Sequence, residues 1–312
     1  MRAARLHTIG GTLQIDDVDD PVAGDGEVVV DIAFASVNPL DIWVTRGAPG
    51  AAAANLPWIP GTEATGHHDG APVLVRGAGI GVMRRGLYCQ RAAVPPATII
   101  ALPAGTDLAQ AAGLGVAGLT AYQCIHPRGQ VTADDRVLVL GASGGVSALA
   151  IQIAKATGAT VWGQTTSAGK VSFIESLGPD RVVVTDAAGL PAAVSELKPT
   201  VVLDPLGGPF TDAASQALEP RGRLVVYGTS VDEIITLNLR GLYRKGIDLK
   251  GYSGLIDTPA DSAAVLAKLL DQLAAGQLRV PVEIVPLSSA ANAHQRILDR
   301  QVEGKLILAT AP

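Results

Sequence analysis

The stretch Asp135 to Ser147, DRVLVLGASGGVS, concentrates the clearest chemistry in this chain. The apolar run Val137 to Leu140 has the length and β-branched content of a buried strand. Five small residues follow it: Gly141, Ala142, Ser143, Gly144 and Gly145. Beyond them Val146, Leu149, Ala150, Ile153 and Ala154 recur at helical spacing, and Gly158 stops the pattern. A strand, a tight small-residue turn and a helix suit a pyrophosphate. The backbone can come close, and the unpaired N–H groups and positive dipole end of the helix favour its charge. The match to G-x-G-x-x-G is imperfect, because alignment on Gly144 leaves Ala142 in the first place and Ser147 in the last.

The next strand, Thr160 to Gly163, closes a βαβ unit within about 30 residues, the span expected of a dinucleotide site. Where an acidic residue would hold the ribose 2′-hydroxyl of NAD, the chain reads Gln164, Thr165, Thr166, Ser167 and then Lys170. No carboxylate stands there to repel a 2′-phosphate, and hydroxyls with a cation can bind one, so the pattern favours NADPH. The competing reading is that Thr166 and Ser167 only cap a helix beginning near Ala168.

These residues need a scaffold, and the alternation supplies it. Helix-period segments at 171–177, 191–197 and 210–218 separate strand-like segments at 181–184, 201–204 and 223–228, which predicts a parallel sheet covered on both faces. Ligands of such sheets gather beyond the carboxyl ends of the strands. Residues 1 to about 118 read as β structure with turn punctuation, with no helix-period pattern before Leu108. From 107 the pattern turns helical through Ala112, and 114–125 reads as a second helix. After a helix at 263–275, strand-like material at 282–285 and 305–309 predicts that the C-terminus rejoins the first domain.

The 312 residues suffice for two domains. Charged residues make up 17% and the net charge is −5 with no basic run, which argues against a nucleic-acid surface. Two cysteines, Cys89 and Cys124, build no disulfide framework and suit a reducing cytoplasm. No apolar leader or membrane-length segment is present, so neither export nor a membrane partner is expected.

The motifs then carry a resemblance. VNPLD at 37–41, IPGTEATG at 59–66, AAGLGVAGLTAY at 111–122, VLVLGASGGVS at 137–147, DPLGG at 204–208, GRLVVYG at 222–228 and EGKLIL at 303–308 stand in one order along nearly the whole chain. In that order the sequence resembles zinc-independent medium-chain dehydrogenases/reductases of the quinone oxidoreductase and enoyl reductase branch. The resemblance implies an α/β protein with a GroES-like β domain, residues 1–118 and 256–312, and a Rossmann domain with a doubly wound parallel sheet, residues 119–255. It implies a cleft in which nicotinamide meets a small-molecule substrate. Carried over by position, Asn38, Thr120, Ala142, Ser143, Gly144, Gly145, Val146, Thr165, Thr166, Ser167, Lys170, Gly228, Thr229 and Lys305 lie along the cofactor. Asp41 stands at the mouth of the substrate pocket. By analogy the protein is a homodimer, with 223–228 or 234–239 as its edge.

Zinc-dependent relatives present a cysteine where this chain has Asn38 and a histidine where it has Thr62; an amide and a hydroxyl are poor ligands for catalytic zinc. His67 and His68 are adjacent in a strand and point to opposite faces, so a shared metal is not expected. Hydride transfer to an activated C=C bond leaves an enolate, whose oxygen needs a donor and whose carbon needs a proton. The tyrosines that relatives place after this motif are missing: the ring is Trp43, and the later position falls near Ala48 or Pro49. An indole N–H donates a hydrogen bond but is no acid at neutral pH. Tyr252, water, or a reaction other than ordinary reduction remains open, as does a mere loop-holding role for Asp41. Asn38, Trp43, Trp58 and the loop 48–56 are expected around an apolar, flat substrate, and Arg84 with Arg85 is a candidate anion contact. Three functions follow: reduction of an enone or enoyl thioester in a biosynthetic pathway, quinone reduction, or NADPH binding without turnover.

Overall fold

The computed structural model describes residues 1–48, 50, 52, 55–257 and 259–311, without the side chains of 259–261. The chain folds as two compact units, Met1–Val116 with Asp257–Pro312, and Ala117–Ile256. Among the described residues, no helix is long and apolar enough to cross a membrane.

The first unit is built on the strand Val28–Val37, whose near-alternation buries Val30, Ile32, Ala35 and Val37. A register shift between Ile32 and Phe34 keeps apolar residues inward along its ten positions. Antiparallel partners flank it: Glu63–His68 and then Ala71–Arg76 on one side, and Lys305–Ala309 on the other. Lys305–Ala309 in turn pairs in parallel with Val282–Pro286, so the end of the chain closes a sheet that its beginning opened. The core includes Leu6, Trp58, Leu87 and Tyr88.

One helix was not expected here. Pro39–Thr45 folds directly after the long strand, because Pro39 presets the first-turn φ and the Asp41 carboxylate accepts the N–H of Asn38 at 2.8 Å. Seven residues are too few to display a helical period, which is why the pattern is invisible in the sequence.

The second unit is a six-stranded parallel sheet, all of whose pairings are parallel. Numbered within the unit, its strands lie in the order 3-2-1-4-5-6, that of a doubly wound dinucleotide fold. Val137, Leu138 and Val139 of the first and Val201, Val202 and Leu203 of the fourth are fully buried, as strands covered on both faces must be. Arg223–Val226, proposed from sequence as an edge, is interior, and 234–239 forms no strand; the outermost strand on that side is Asp248–Gly251. Its apolar pattern is broken by the charges of Asp248 and Lys250. The helix expected at 114–125 is Ala117–Gln123 followed by one π turn, Cys124–Arg128, where Pro127 has no N–H to give.

Asp135 ties the start of this sheet together. Its carboxylate accepts from the Thr132 N–H at 2.9 Å and the Thr200 hydroxyl at 2.8 Å, and it pairs with Arg223. Partial burial raises its pKa, but these donors outweigh that and hold it below the ordinary value. The stability Asp135 contributes is therefore present above about pH 4 and lost as pH falls through the folded value. Replacing it (Asp135→Asn) is expected to cost about 1–3 kcal/mol at pH 7, with the gap from wild type narrowing towards pH 3 in urea titrations. A gap that stays constant with pH would contradict this assignment.

Candidate functional site

The small-residue turn lies where the strand order reverses, between the first and fourth strands of the second unit. Gly141 adopts φ +55°, a left-handed conformation that glycine takes without strain. Gly144 is different. Its φ is −74° and a Cβ there would meet nothing nearer than the Gly141 oxygen at 3.4 Å, so neither backbone nor packing demands glycine. Close approach of a ligand backbone or phosphate would. Gly144 caps the twelve-residue helix Gly145–Ala156, whose first-turn amides have no partner within the helix.

The two departures from the glycine fingerprint have structural explanations. Ala142 is fully buried, and its Cβ lies 3.0 Å from where one on Gly163 would stand. The Ser147 hydroxyl donates to the Leu140 oxygen at 3.1 Å and lies 2.9 Å from the Tyr227 hydroxyl, stitching helix to sheet where a glycine would merely let them touch. Burial, moderated by Ser147, pushes the Tyr227 hydroxyl up, so it stays neutral.

At the end of the second strand Thr165 is buried and accepts the Ser167 N–H at 3.2 Å; Thr166 and Ser167 are exposed, and Lys170 is half-buried. Asp204, at the end of the fourth strand, is committed to its own turn. It accepts from the N–H groups of Leu206 and Gly207 and from Thr211. Gly228 and Thr229 follow the fifth strand, and Thr120 lies in the helix Ala117–Gln123. Tyr252 is 7% exposed, its N–H bonded to the Val226 oxygen at 2.9 Å.

The first unit holds a second polar cluster that sequence reasoning saw only in part. Lys305, expected along a cofactor, is 4% exposed. Its ammonium donates to Asn38 Oδ1 at 2.6 Å and Val37 O at 3.3 Å and lies 3.5 Å from Glu63. Burial lowers its pKa, while the Glu63 and Asp41 charges oppose the shift. Asn38 spends both amide hydrogens inside the unit, on Glu63 Oε1 at 3.0 Å and Thr62 Oγ1 at 3.3 Å. Glu63 Oε2 accepts the Val116 N–H at 2.6 Å.

Asp41 is not at a pocket mouth but fully buried, where Asn38 N–H and the Tyr88 hydroxyl, at 3.0 Å, share its Oδ2. Burial raises its pKa to about 6, against the pull of those two donors, the Thr62 side chain and the Lys305 charge. The Tyr88 pKa is pushed up by burial and by Asp41. Of the residues expected to face substrate, Trp58 is 2% exposed within the core and Asn38 3%, whereas Trp43 is 45% exposed. Trp58 packs inward because its backbone pairs with Leu6 as a strand does, at 2.8 Å. Arg84 reaches Glu27 at 3.4 Å. Pro49, Ala51, Ala53 and Ala54 of the expected covering loop lie outside the described residues.

Four similarities bear on this arrangement. The profile of the zinc-binding dehydrogenase family matches residues 145–271. A probable acrylyl-CoA reductase of Escherichia coli (strain K12) is 24% identical over 96% of both chains. Among solved structures, an NAD-dependent alcohol dehydrogenase superposes with a TM-score of 0.90 at 26% identity over all of both chains. The quinone oxidoreductase of Thermus thermophilus, solved also with NADPH, gives 0.86 at 28% over 99% of this chain and 100% of that one.

The zinc in that family description does not fit these residues. An amide, a hydroxyl and a buried ammonium meet where thiolate and imidazole would be needed, and the Lys305 cation already lies against the Asn38 oxygen. His68 bonds Val29 O through Nδ1, and its neighbour His67 is exposed. A nucleotide fits better, beside Gly144, where a side chain would make only ordinary contacts with the protein.

Because its pKa is raised to about 6 from 3.8, ionised Asp41 costs the folded state roughly 3 kcal/mol near pH 7. The sign follows: the folded state holds the proton more tightly, so stability falls as pH rises from about 4 through 6. Asp41→Asn is expected to be more stable than wild type by about 1–3 kcal/mol at pH 7.5, with the gain gone by pH 4. Denaturant titrations at both pH values check it; destabilisation at pH 7.5 would show that the charge is needed for the Tyr88 and Asn38 bonds.

Proposed function

Because the chain belongs to the medium-chain dehydrogenase/reductase family, on its quinone oxidoreductase-like branch, we propose that it is a cytoplasmic NADPH-dependent reductase of an activated C=C bond, in an enone or enoyl thioester, working without zinc. The observation that carries the reading is the glycine turn at the strand-order reversal, followed by a strand end that offers hydroxyls and Lys170 and no carboxylate. Bound nicotinamide supplies the hydride.

The chain's own residues do the holding. The first-turn amides of Gly145–Ala156 receive the pyrophosphate, and Thr166, Ser167 and Lys170 receive the 2′-phosphate. In the first unit Trp43 is the exposed ring that can lie against a flat substrate and donate one hydrogen bond through its indole. Tyr88 and Asp41 hold one another inside the fold, and Tyr252, the other candidate donor, is itself buried, so the proton for the α-carbon comes from water. That last point also favours a second reading, quinone reduction, which needs no positioned acid.

Lys170→Ala is expected to weaken NADPH binding about tenfold and leave NADH unchanged, as loss of one charge-assisted contact predicts, measured by nucleotide fluorescence. Deuterium passing from labelled NADPH to the β-carbon of an enone supports the first reading. Quinone turnover without enone turnover supports the second. If NADPH binds and no acceptor oxidises it, the chain is a binding protein rather than a reductase; if no nucleotide binds, the reading fails.

The same reading extends to assembly. The outer strand Asp248–Gly251 is unpaired on one side, and Leu249, Leu255 and Ile256 beside it are exposed, which suits pairing with a second copy. Sedimentation should give twice the 31.8 kDa of one chain, and Leu249→Lys with Ile256→Lys should return it to one; a wild-type monomer at 10 μM, roughly the scale for a stable dimer, would refute the homodimer.

A further inference from the structure

Gln164 is fully buried at the end of the second strand of the nucleotide-type sheet, and both polar ends of its side chain are engaged. Its Oε1 accepts the N–H of Gly141, the first residue of the small-residue turn, at 3.1 Å. Its Nε2 donates to the Thr185 oxygen, at the end of the third strand, at 2.7 Å. Its own main-chain oxygen accepts the N–H of Ala142 at 2.8 Å. One residue thus joins three consecutive strand ends on the ligand side of the sheet.

We infer that Gln164 is a positioning residue that holds the Gly141–Gly145 turn in its cofactor-receiving shape. It rests on the reading that this turn takes the pyrophosphate. The argument is one of satisfied groups. After the strand ends, Gly141 turns left-handed and leaves the sheet ladder, so its N–H needs an acceptor that the backbone ladder no longer provides. A side chain short by one methylene would not span from the second strand to both flanking ends. An apolar one would leave Gly141 N–H and Thr185 C=O without this partner, free to seek others by moving the turn. An ordered turn before binding means less ordering at binding, which appears as affinity. A carboxylate in the same place would accept from Gly141 but repel the Thr185 oxygen and add negative charge beneath a phosphate site. A neutral amide, which accepts at one end and donates at the other, meets both partners.

The experiment compares wild type, Gln164→Met and Gln164→Glu by fluorescence titration with NADPH and by competition with adenosine 2′-monophosphate, which carries neither phosphate of the pyrophosphate. Gln164→Met is expected to raise the NADPH Kd at least tenfold and to raise the Kd of the nucleotide lacking the pyrophosphate less than threefold. Gln164→Glu reproduces the amide when its acid is protonated, with one oxygen accepting and the O–H donating. Its NADPH Kd, divided by that of wild type at the same pH, should stay within threefold at pH 5 and climb past tenfold by pH 8. This ratio decides the matter even if Gln164→Met fails to fold. Equal loss of both ligands in Gln164→Met, a Kd within twofold of wild type, or a flat pH ratio for Gln164→Glu would overturn the inference. Wild-type protein that binds no NADPH would instead overturn the reading of the turn.

Discussion

The first unit depends on neutralising a buried ammonium. Lys305 begins the last strand and lies inside the fold, a position that is tolerable only if its charge and its donors are met. They are met by Val37 O, Asn38 and Glu63, all from the early part of the chain. The pairing fixes the last strand against the strand that leads into the Pro39–Thr45 helix. It also sets Asn38, whose oxygen is held by Lys305 and whose amide hydrogens are thereby aimed at Thr62 and Glu63. A lone charge at any of these positions would be costly, so the residues stand or fall together.

The same constraint explains what could and could not be read from the sequence. The turn at 141–145 announces itself because strand, glycines and helix are contiguous, and short-range pattern is what a sequence displays. Strand positions 136–139, 181–184, 201–204 and 223–226 lay within a residue or two of expectation for the same reason. The Lys305 cluster has no local signature. EGKLIL and VNPLD each read as a motif, but nothing in either says that the lysine of one faces the asparagine of the other. Tyr88 was missed because it sits in GLYCQ, an unremarkable apolar stretch, and matters only through Asp41. The outer strand was missed because Asp248 and Lys250 interrupt the apolar pattern, as an edge position permits.

Departures from a fingerprint carry information when their contacts are known. Ser147 in place of the final glycine looks like damage in one dimension. In three it supplies a hydroxyl that satisfies the end of the central strand and reaches Tyr227 on the fifth. The close helix packing that glycine permits by absence is replaced by packing through a hydrogen bond, and the turn keeps its place. Gly144, by contrast, cannot be explained by its surroundings at all, and that makes it the better pointer to a ligand.

The fate of the proton follows from which acids are free. The affinity of Asp41 for a proton has moved towards neutrality, to about 6, yet it is sealed from solvent and engaged by Tyr88. Tyr88 in turn is too basic as a phenolate, and too buried, to act as an acid of ordinary strength. A buried pair of this kind stiffens the start of the Pro39–Thr45 helix at a cost in stability, and it has no proton to deliver outward. Trp43, at the surface of that helix, offers a hydrogen bond and no proton. On the proposed reading, a reductase built this way uses acceptors whose reduced anion is stable enough to wait for water. Quinones meet that demand most easily, conjugated ketones and thioesters less so, and isolated double bonds not at all. On that reading, the missing tyrosines narrow the proposed substrate by electronic character rather than by size, towards acceptors that hold negative charge well.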